Sequence, residues 1–252
     1  MLEFPWYPTW IPQWDVEPIR SIGGSHRAGM KFDASGGWNP KPPAELIWKR
    51  NERHLILQGF ILGRVTSSHS VLPPLSYKDS EGRRRKKLKA HNAELDGWLN
   101  RNVSSHNDMN TQLPLVLTAG QDWYGNILRD QVAILRHTES FEKWKRKYLK
   151  NKVPHDIDAV KYGQAMTNVC DDRQLFTATG RLLGLGPRLL RNNDVICVVA
   201  GGQVPYALRP LMDGRFYFVG ECYVAGCMFG KAIQDWRSQT QASSTVQRFI
   251  LV

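Results

Sequence analysis

The hydrophobic and polar positions change rhythm twice along the chain. His54-Leu55-Ile56-Leu57-Gln58-Gly59-Phe60-Ile61-Leu62-Gly63-Arg64-Val65 is a nearly unbroken apolar run, rich in branched and aromatic residues. Its length and composition predict a strand, and its two glycines predict a bulge or a close backbone approach. Ahead of it, Lys31 to Gly37 reads as a short strand ending in a turn. Behind it the pattern becomes helical. Ala90 to Asn100 spaces Ala90, Leu95, Trp98 and Leu99 on a helical period. Ile127 to Arg136 places Leu128, Val132 and Leu135 near one face, and Ser140 is a candidate cap for a separate helix, Phe141 to Leu149. Asp156 to Val169 predicts a further helix whose acidic start suits the helix dipole and whose Gly163 weakens it slightly. From Arg173 onward the rhythm returns to strands: Gln174 to Thr179, Asp194 to Ala200, Val204 to Arg209, Phe216 to Val224 and Val246 to Val252. The Asp194 to Ala200 run is nearly continuously apolar and predicts a strand buried on both faces. Asp213-Gly214 predicts a hairpin turn. Ala232 to Arg237 is a short helical piece before a polar linker, Gln239 to Ser244.

Together these elements predict an α+β fold: a small antiparallel β-barrel built from N-terminal and C-terminal strands, with a helical insertion in the middle. The divisions are residues 1–66 (arm and first strands), 67–172 (basic loop and helical insertion) and 173–252 (C-terminal strands), forming one composite domain. At 252 residues the chain is long enough to bury a sizeable core. Its first eighteen residues carry Pro5, Pro8, Pro12 and Pro18 among Trp6, Trp10 and Trp14, which predicts an extended arm. The arm either packs on its own domain or serves as a proline-rich ligand for a partner.

Charge changes this picture locally. Of the net +11, the segment Lys78 to Lys89 holds seven Lys/Arg against two acids, and Glu142 to Lys152 holds six against one. Ser67 to Leu88 reads as a long polar excursion carrying Arg83, Arg84, Arg85, Lys86 and Lys87. That run is a candidate nuclear localisation or phosphate-binding patch, or else a solvated loop or the basic start of the next helix. In the second segment, Phe141, Trp144 and Tyr148 form a stripe with Lys143, Lys147 and Lys150 towards the other side. Such a helix lies on a membrane surface or nucleic acid, or is an ordinary surface helix. These eight basic residues form the candidate interaction patch.

Candidate chemistry is sparse. Gly180, Gly184 and Gly186 lack the Lys-Ser/Thr that completes a phosphate loop. No serine lies in G-x-S-x-G and no histidine in H-E-x-x-H. Cys170, Cys197, Cys222 and Cys227 are not spaced as a zinc set and read as buried, reduced thiols. Arg209 and Glu221 are a candidate internal ion pair, and Asp171-Asp172 a helix-end pair. No catalytic, cofactor or metal site is expected. No apolar run reaches the ~20 residues that span a bilayer, and the N-terminus does not read as a secretory signal. A cytoplasmic or nuclear protein is expected.

One set of residues carries a family resemblance. It runs Arg173-Gln174-Leu175-Phe176-Thr177-Ala178-Thr179-Gly180, then Gly184-Leu185-Gly186-Pro187, then Asp194-Val195-Ile196-Cys197-Val198-Val199 with Gly201-Gly202. Pro205-Tyr206-Ala207-Leu208-Arg209-Pro210 follows, and then Val219-Gly220-Glu221-Cys222-Tyr223-Val224-Ala225-Gly226-Cys227-Met228-Phe229-Gly230-Lys231-Ala232. In order and spacing this resembles the C-terminal region of fungal heterokaryon incompatibility proteins. Tyr7 to Trp14 and Phe32-Asp33-Ala34-Ser35-Gly36 resemble that family's P-S-W-V-P-D-W and F-x-A-S-G stretches. Asn193 stands where the family usually has glycine, a residue that tolerates the same left-handed turn. Lys231 stands in place of an acid. In the family the eponymous incompatibility domain lies N-terminal to this region, and the chain is expected to correspond to the part that follows it. The resemblance implies a barrel-like accessory region that recognises a partner or restrains that domain in non-self recognition. Two functional classes remain: a non-catalytic protein-recognition or regulatory module, and a basic nucleic-acid-associated or nuclear protein.

Overall fold

The computed structural model describes residues 8–10, 21–22, 31–40, 44–49, 52–75, 78–103, 111–148, 155–239 and 246–252. Most of the proline-tryptophan arm, Lys150 and most of the linker before the last strand therefore lie outside the described residues.

Strand β2, Glu52–Ser70, is the spine. At 19 residues it is far longer than an ordinary strand, and it serves four neighbours because it bends twice. Its register shifts between Ile61 and Gly63 and again between Val65 and Ser67. Along one edge it pairs with β1, Ala44–Lys49, and then with β5, Val195–Val199. Along the other it pairs with β9, Gln247–Leu251, and then with β3, Arg173–Ala178. Glycine makes these approaches possible. A β-carbon on Gly59 would stand 2.5 Å from the Val198 carbonyl oxygen, and one on Gly63 2.5 Å from that of Thr179.

From β5 the sheet continues through β6, Tyr206–Pro210, to β7, Phe216–Glu221, and β7 meets β9 at Phe216 and Leu251. Since β9 also pairs with β2, the strands β2, β5, β6, β7 and β9 close into a ring. The expectation of a wholly antiparallel arrangement is corrected at this seam: β7 and β9 run parallel. They are joined through helix α5, Lys231–Gln239, and such a crossover returns the chain in the same direction. Away from the ring, β2 continues into β3, β4 (Leu182–Pro187) and β8 (Tyr223–Val224).

The β5 run is buried at all five positions, and the ring explains it. Val195, Cys197 and Val199 face inward with Leu208, Phe249 and Leu251. Ile196 and Val198 face outward into a second cluster with Phe60, Phe176 and Ile233. Each such aliphatic side chain contributes on the order of 2 kcal/mol of burial. The outer cluster is covered by α5, whose Trp236 stacks on Phe60 with centroids 5.3 Å apart. It is sealed further by residues 31–38, which form no strand. Their backbone instead crosslinks two loops, with Asp33 N–H donating to the Met228 carbonyl at 3.0 Å and Ala34 N–H to that of Gln203 at 2.9 Å.

The helices pack on the β3–β4 side. They are α1 (Glu81–Asn102), α2 (Leu113–Val116), α3 (Gln131–Tyr148) and α4 (Ile157–Cys170). Three expectations change here. The polar excursion is shorter than expected, because β2 extends to Ser70 and α1 starts at Glu81, and of the readings left open for Arg83 to Lys87 the basic start of the next helix is the one observed. Lys and Arg are good helix formers even without an apolar period. The pieces expected as Ile127 to Arg136 and Phe141 to Leu149 are one helix, and Ser140 does not cap it; its hydroxyl donates to the Arg136 carbonyl one turn back. Finally, the stripe Phe141, Trp144 and Tyr148 belongs to the core. Phe141 and Trp144 are buried, and both pack on Tyr162 of α4. Asp156 caps α4 through the amides of Asp158 and Ala159. Gly163 has a packing reason, since a β-carbon there would stand 2.7 Å from the Trp144 indole nitrogen.

Candidate functional site

After α2 the chain passes through two left-handed residues, Ala119 (φ 46°) and Gly120 (φ 65°), and enters a tight turn. Asp122 organises that turn. Its Oδ1 accepts from the amides of Tyr124 and Asn126, both at 2.8 Å, and its Oδ2 accepts from the Asn126 side-chain amide at 2.9 Å. Gly125 supplies the positive φ, and Gln121 bridges Ile127 across the base. A carboxylate with three such donors holds its loop as a short, pre-formed hairpin. The result is a rigid display of two adjacent aromatic residues. Trp123 is 38% exposed and Tyr124 58% exposed. Lys161 Nζ of α4 lies 5.9 Å from the Tyr124 ring centroid.

The turn forms one wall of a cleft of about 440 Å³. The end of α4 supplies the opposite wall with Asn168 and Val169, Ser21 and Ile22 close one side, and Arg173 lies at the base. Arg173 is 5% exposed and donates to the Val169 carbonyl at 2.6 Å. Burial lowers its pKa, opposed by nearby acidic groups including Cys170 and Glu221. Glu221 in turn anchors the cleft's edge, accepting from the Ser21 hydroxyl at 2.8 Å and the Ile22 amide at 2.7 Å. The arrangement is a partly polar recess beside a stiff aromatic lip, which suits recognition of another surface.

Titratable groups elsewhere are structural. His137 is buried between Thr118, with which it shares a hydrogen bond at 2.9 Å, and the Tyr162 ring. Burial pushes its pKa down to about 4. All four cysteines are buried and unbridged. Burial raises the thiol pKa of Cys227 to about 11 and pushes those of Cys170, Cys197 and Cys222 up as well. Among the described residues no group of three or more His, Cys, Asp or Glu side chains is placed to hold a metal ion, and no helix is long and apolar enough to cross a membrane.

The candidate ion pair between Arg209 and Glu221 is not formed. In the β6–β7 hairpin Arg209 stands opposite Tyr217, and Glu221 opposite Tyr206, so the two lie at different ends of the ladder. Arg209 instead forks onto Asp194, with both nitrogen–oxygen distances 2.9 Å. The Asp171-Asp172 pair is split: Asp171 ends α4, and Asp172 meets Arg188 at 3.2 Å. Arg83, Arg84, Arg85, Lys86 and Lys87 sit on the first turns of α1. Arg83 and Lys87 approach Asp79 at 4.0 and 2.7 Å, and Arg85 meets Glu81 at 2.6 Å. Lys143 on α3 pairs with Asp156 at 3.0 Å, Lys147 lies on the last turn of the same helix, and Lys150 is outside the described residues. The two basic segments thus sit on different helices. The Trp123–Tyr124 lip was not anticipated. Its signal is Asp122-Trp123-Tyr124-Gly125-Asn126, two aromatics inside a turn-forming sequence.

The structure also explains the residues that carry the resemblance. Gly36 and Gly230, from opposite ends of the chain, touch. A β-carbon on Gly230 would stand 2.7 Å from the Gly36 α-carbon. Asp194 and Arg209, from separate motifs, are ion-paired. Asn193 adopts φ 70°, the left-handed turn that glycine would otherwise supply. Lys231 is the exposed first residue of α5.

Neither a curated protein nor a solved structure matches the chain. A family model does, and it spans the aromatic lip, the helices α3 and α4, the strands β3 to β8 and α5. Residues 119–240 match the Het-6 beta-barrel domain, a heterokaryon incompatibility-associated domain.

Proposed function

We propose that this chain is a non-catalytic protein-recognition module of the heterokaryon incompatibility type, and that its ring of strands is a small barrel serving as a scaffold. The observation that carries this reading is the Trp123–Tyr124 lip, two exposed aromatics fixed by the Asp122 hydrogen bonds beside a 440 Å³ cleft, inside the matched segment. Aromatic groups on a pre-formed loop lose little entropy on binding and recur as anchors of protein interfaces. A non-catalytic role is supported by the placement of the reactive side chains: Cys197, Cys222 and Cys227 are buried against the strands, Cys170 is buried at the end of α4, and His137 is held neutral inside the helical layer. Unbridged buried cysteines fit a reducing compartment, the cytoplasm or nucleus.

A photo-crosslinking residue placed at Tyr124 tests the reading, with the same residue at Met212, an exposed position in the β6–β7 turn, as the control. The expected result is a discrete protein adduct in cells from position 124 alone, competed by excess wild-type chain but not by a Trp123→Ala/Tyr124→Ala variant. Identical adducts at both positions, or none at 124, would overturn it.

A further inference from the structure

Helix α1 is two helices in one. Its second half is anchored: His91, Asn92, Leu95, Trp98 and Leu99 are buried, the His91 ring bonds the Val71 carbonyl at 3.0 Å, and the Trp98 indole donates to Ser67 at 2.8 Å. Its first half, Glu81 to Ala90, contains no buried residue, and only Lys87 and Leu88 are even half-buried. About ten residues, roughly 15 Å of helix, are held to the rest of the protein mainly through Leu88 and the Lys87–Asp79 ion pair at 2.7 Å.

That overhang breaks the rules for a stable helix end. Six cations, Arg83, Arg84, Arg85, Lys86, Lys87 and Lys89, occupy its first nine residues, where the helix dipole favours anions. Arg83 with Lys87 and Arg85 with Lys89 are like charges one turn apart. Ser80 makes no side-chain cap hydrogen bond. Arg83 and Lys87 share one carboxylate, Asp79, and Arg85 meets Glu81. A segment whose local chemistry opposes its own conformation gains most from a ligand that supplies negative charge.

The distribution of charge identifies the ligand. Five consecutive cations, each about 100° further round the helix, are spread about it; Lys87 turns to the nearly buried Asp79, and Arg83 to Lys86 are exposed on the remaining sides. A membrane surface or a flat acidic protein face meets one side of a helix and calls for an amphipathic one. A groove with phosphates on both walls meets all sides. The major groove of B-form DNA, about 12 Å wide, admits an α-helix, whereas the deep, narrow major groove of duplex RNA does not. We propose that Glu81 to Ala90 is a sequence-independent duplex-DNA-binding helix, inserted in the major groove with its Arg and Lys side chains on the flanking phosphates. This surface is separate from the Trp123–Tyr124 lip and stands or falls independently of it.

The test is binding of the full chain to a labelled 20-bp duplex of arbitrary sequence, by fluorescence anisotropy across a potassium chloride series. Neutralising four or five phosphates predicts that log affinity falls with log salt at a slope of about −4. Arg83→Gln/Arg84→Gln/Arg85→Gln is expected to weaken binding at least about tenfold at low salt and to flatten the slope by about 3. The charge-matched control Arg181→Gln/Arg188→Gln/Arg237→Gln is expected to leave both nearly unchanged. Lys86→Gln/Lys89→Gln repeats the test without touching Arg83 or Arg85, whose contacts with Asp79 and Glu81 hold the start of the helix. The absence of salt-dependent binding would overturn the proposal, as would equal loss from the two triple variants. So would tighter binding, per unit charge, to duplex RNA or to poly-glutamate, the latter assigning the helix to an acidic polypeptide.

Discussion

The strand region and the helical layer differ in what limits their packing most tightly. In the sheets, backbone approaches backbone so closely that a methyl group has no place: a β-carbon on Gly59 would meet the Val198 oxygen at 2.5 Å, and one on Gly184 the Tyr223 oxygen at 2.6 Å. In the helical layer the space is filled by rings. Phe141, Trp144, Tyr148 and Tyr162 form a continuous aromatic cluster with centroid separations from 4.4 to 6.1 Å. Backbone-to-backbone packing has few solutions, because the partner atoms cannot rotate away. Ring packing has many, because side chains can rearrange. The first kind of region writes itself into short, fixed motifs; the second tolerates change and is where α1 and the aromatic lip are displayed.

The largest effects should therefore come from the smallest additions. Gly59→Ala and Gly184→Ala are expected to cost about 3 kcal/mol or more, beyond the usual range for overpacking, and to leave little folded protein. Solubility and urea unfolding read this directly. A folded, stable G59A variant would show that the ring relaxes more than its geometry implies.

Asp194→Ala comes next. It strips a nearly buried carboxylate from Arg209 and from the Arg191 amide, which donates to it at 2.8 Å. Removing one partner of such a pair costs about 3 kcal/mol or more, and equilibrium unfolding of the variant against wild type measures it. Arg209→Met with Asp194→Leu should recover part of that loss if burial rather than charge is what the site needs.

His137 gives the helical layer its own signature. Its folded pKa, about 4, lies below the unfolded value of 6.5. The unfolded chain thus binds the proton first, and stability falls as pH drops from about 6.5 towards 4, then levels off. The expected loss is roughly 3 kcal/mol at most. Thermal melts of wild type and His137→Gln across this range should converge as pH falls, because the variant lacks that loss. Parallel curves would remove His137 as the cause.

The smallest effect has the opposite sign. A β-carbon on Gly82 meets nothing within 4 Å. Gly82→Ala should stabilise the overhang of α1 by about 0.5–1 kcal/mol of helix propensity, seen as slower amide exchange across residues 83–90 with little change in the melting temperature.

This contrast also sets what could be read from the chain in advance. The strands of the C-terminal third were legible because their apolar runs are separated by glycine turns, and β5 was recognisable as doubly buried from Val195 to Val199 alone. The contact of Gly36 with Gly230 was not, since neither glycine says which distant backbone it meets. The parallel seam between β7 and β9 depends on how the chain returns after α5, which local pattern does not encode. In the helical layer, boundaries were blurred where lysine and arginine replace the apolar period, so the first half of α1 read either as loop or as the basic start of the next helix. The Phe141–Tyr148 stripe read as a membrane- or nucleic-acid-facing surface or as part of an ordinary surface helix, and only the partner ring of Tyr162 places it in the core. Of the candidate site, the Asp122 turn was legible in principle, but its exposure depends on α4 standing across the cleft.

Native-state hydrogen exchange tests the central claim, a rigid strand frame that displays a poorly anchored basic helix, most directly. The account predicts that Val195 to Val199 exchange only through global unfolding, that residues 92–99 of α1 follow within a modest margin, and that Arg84 to Ala90 exchange orders of magnitude faster, slowing when duplex DNA is added. Protection of Arg84 to Ala90 equal to that of residues 92–99 in the free protein would contradict it.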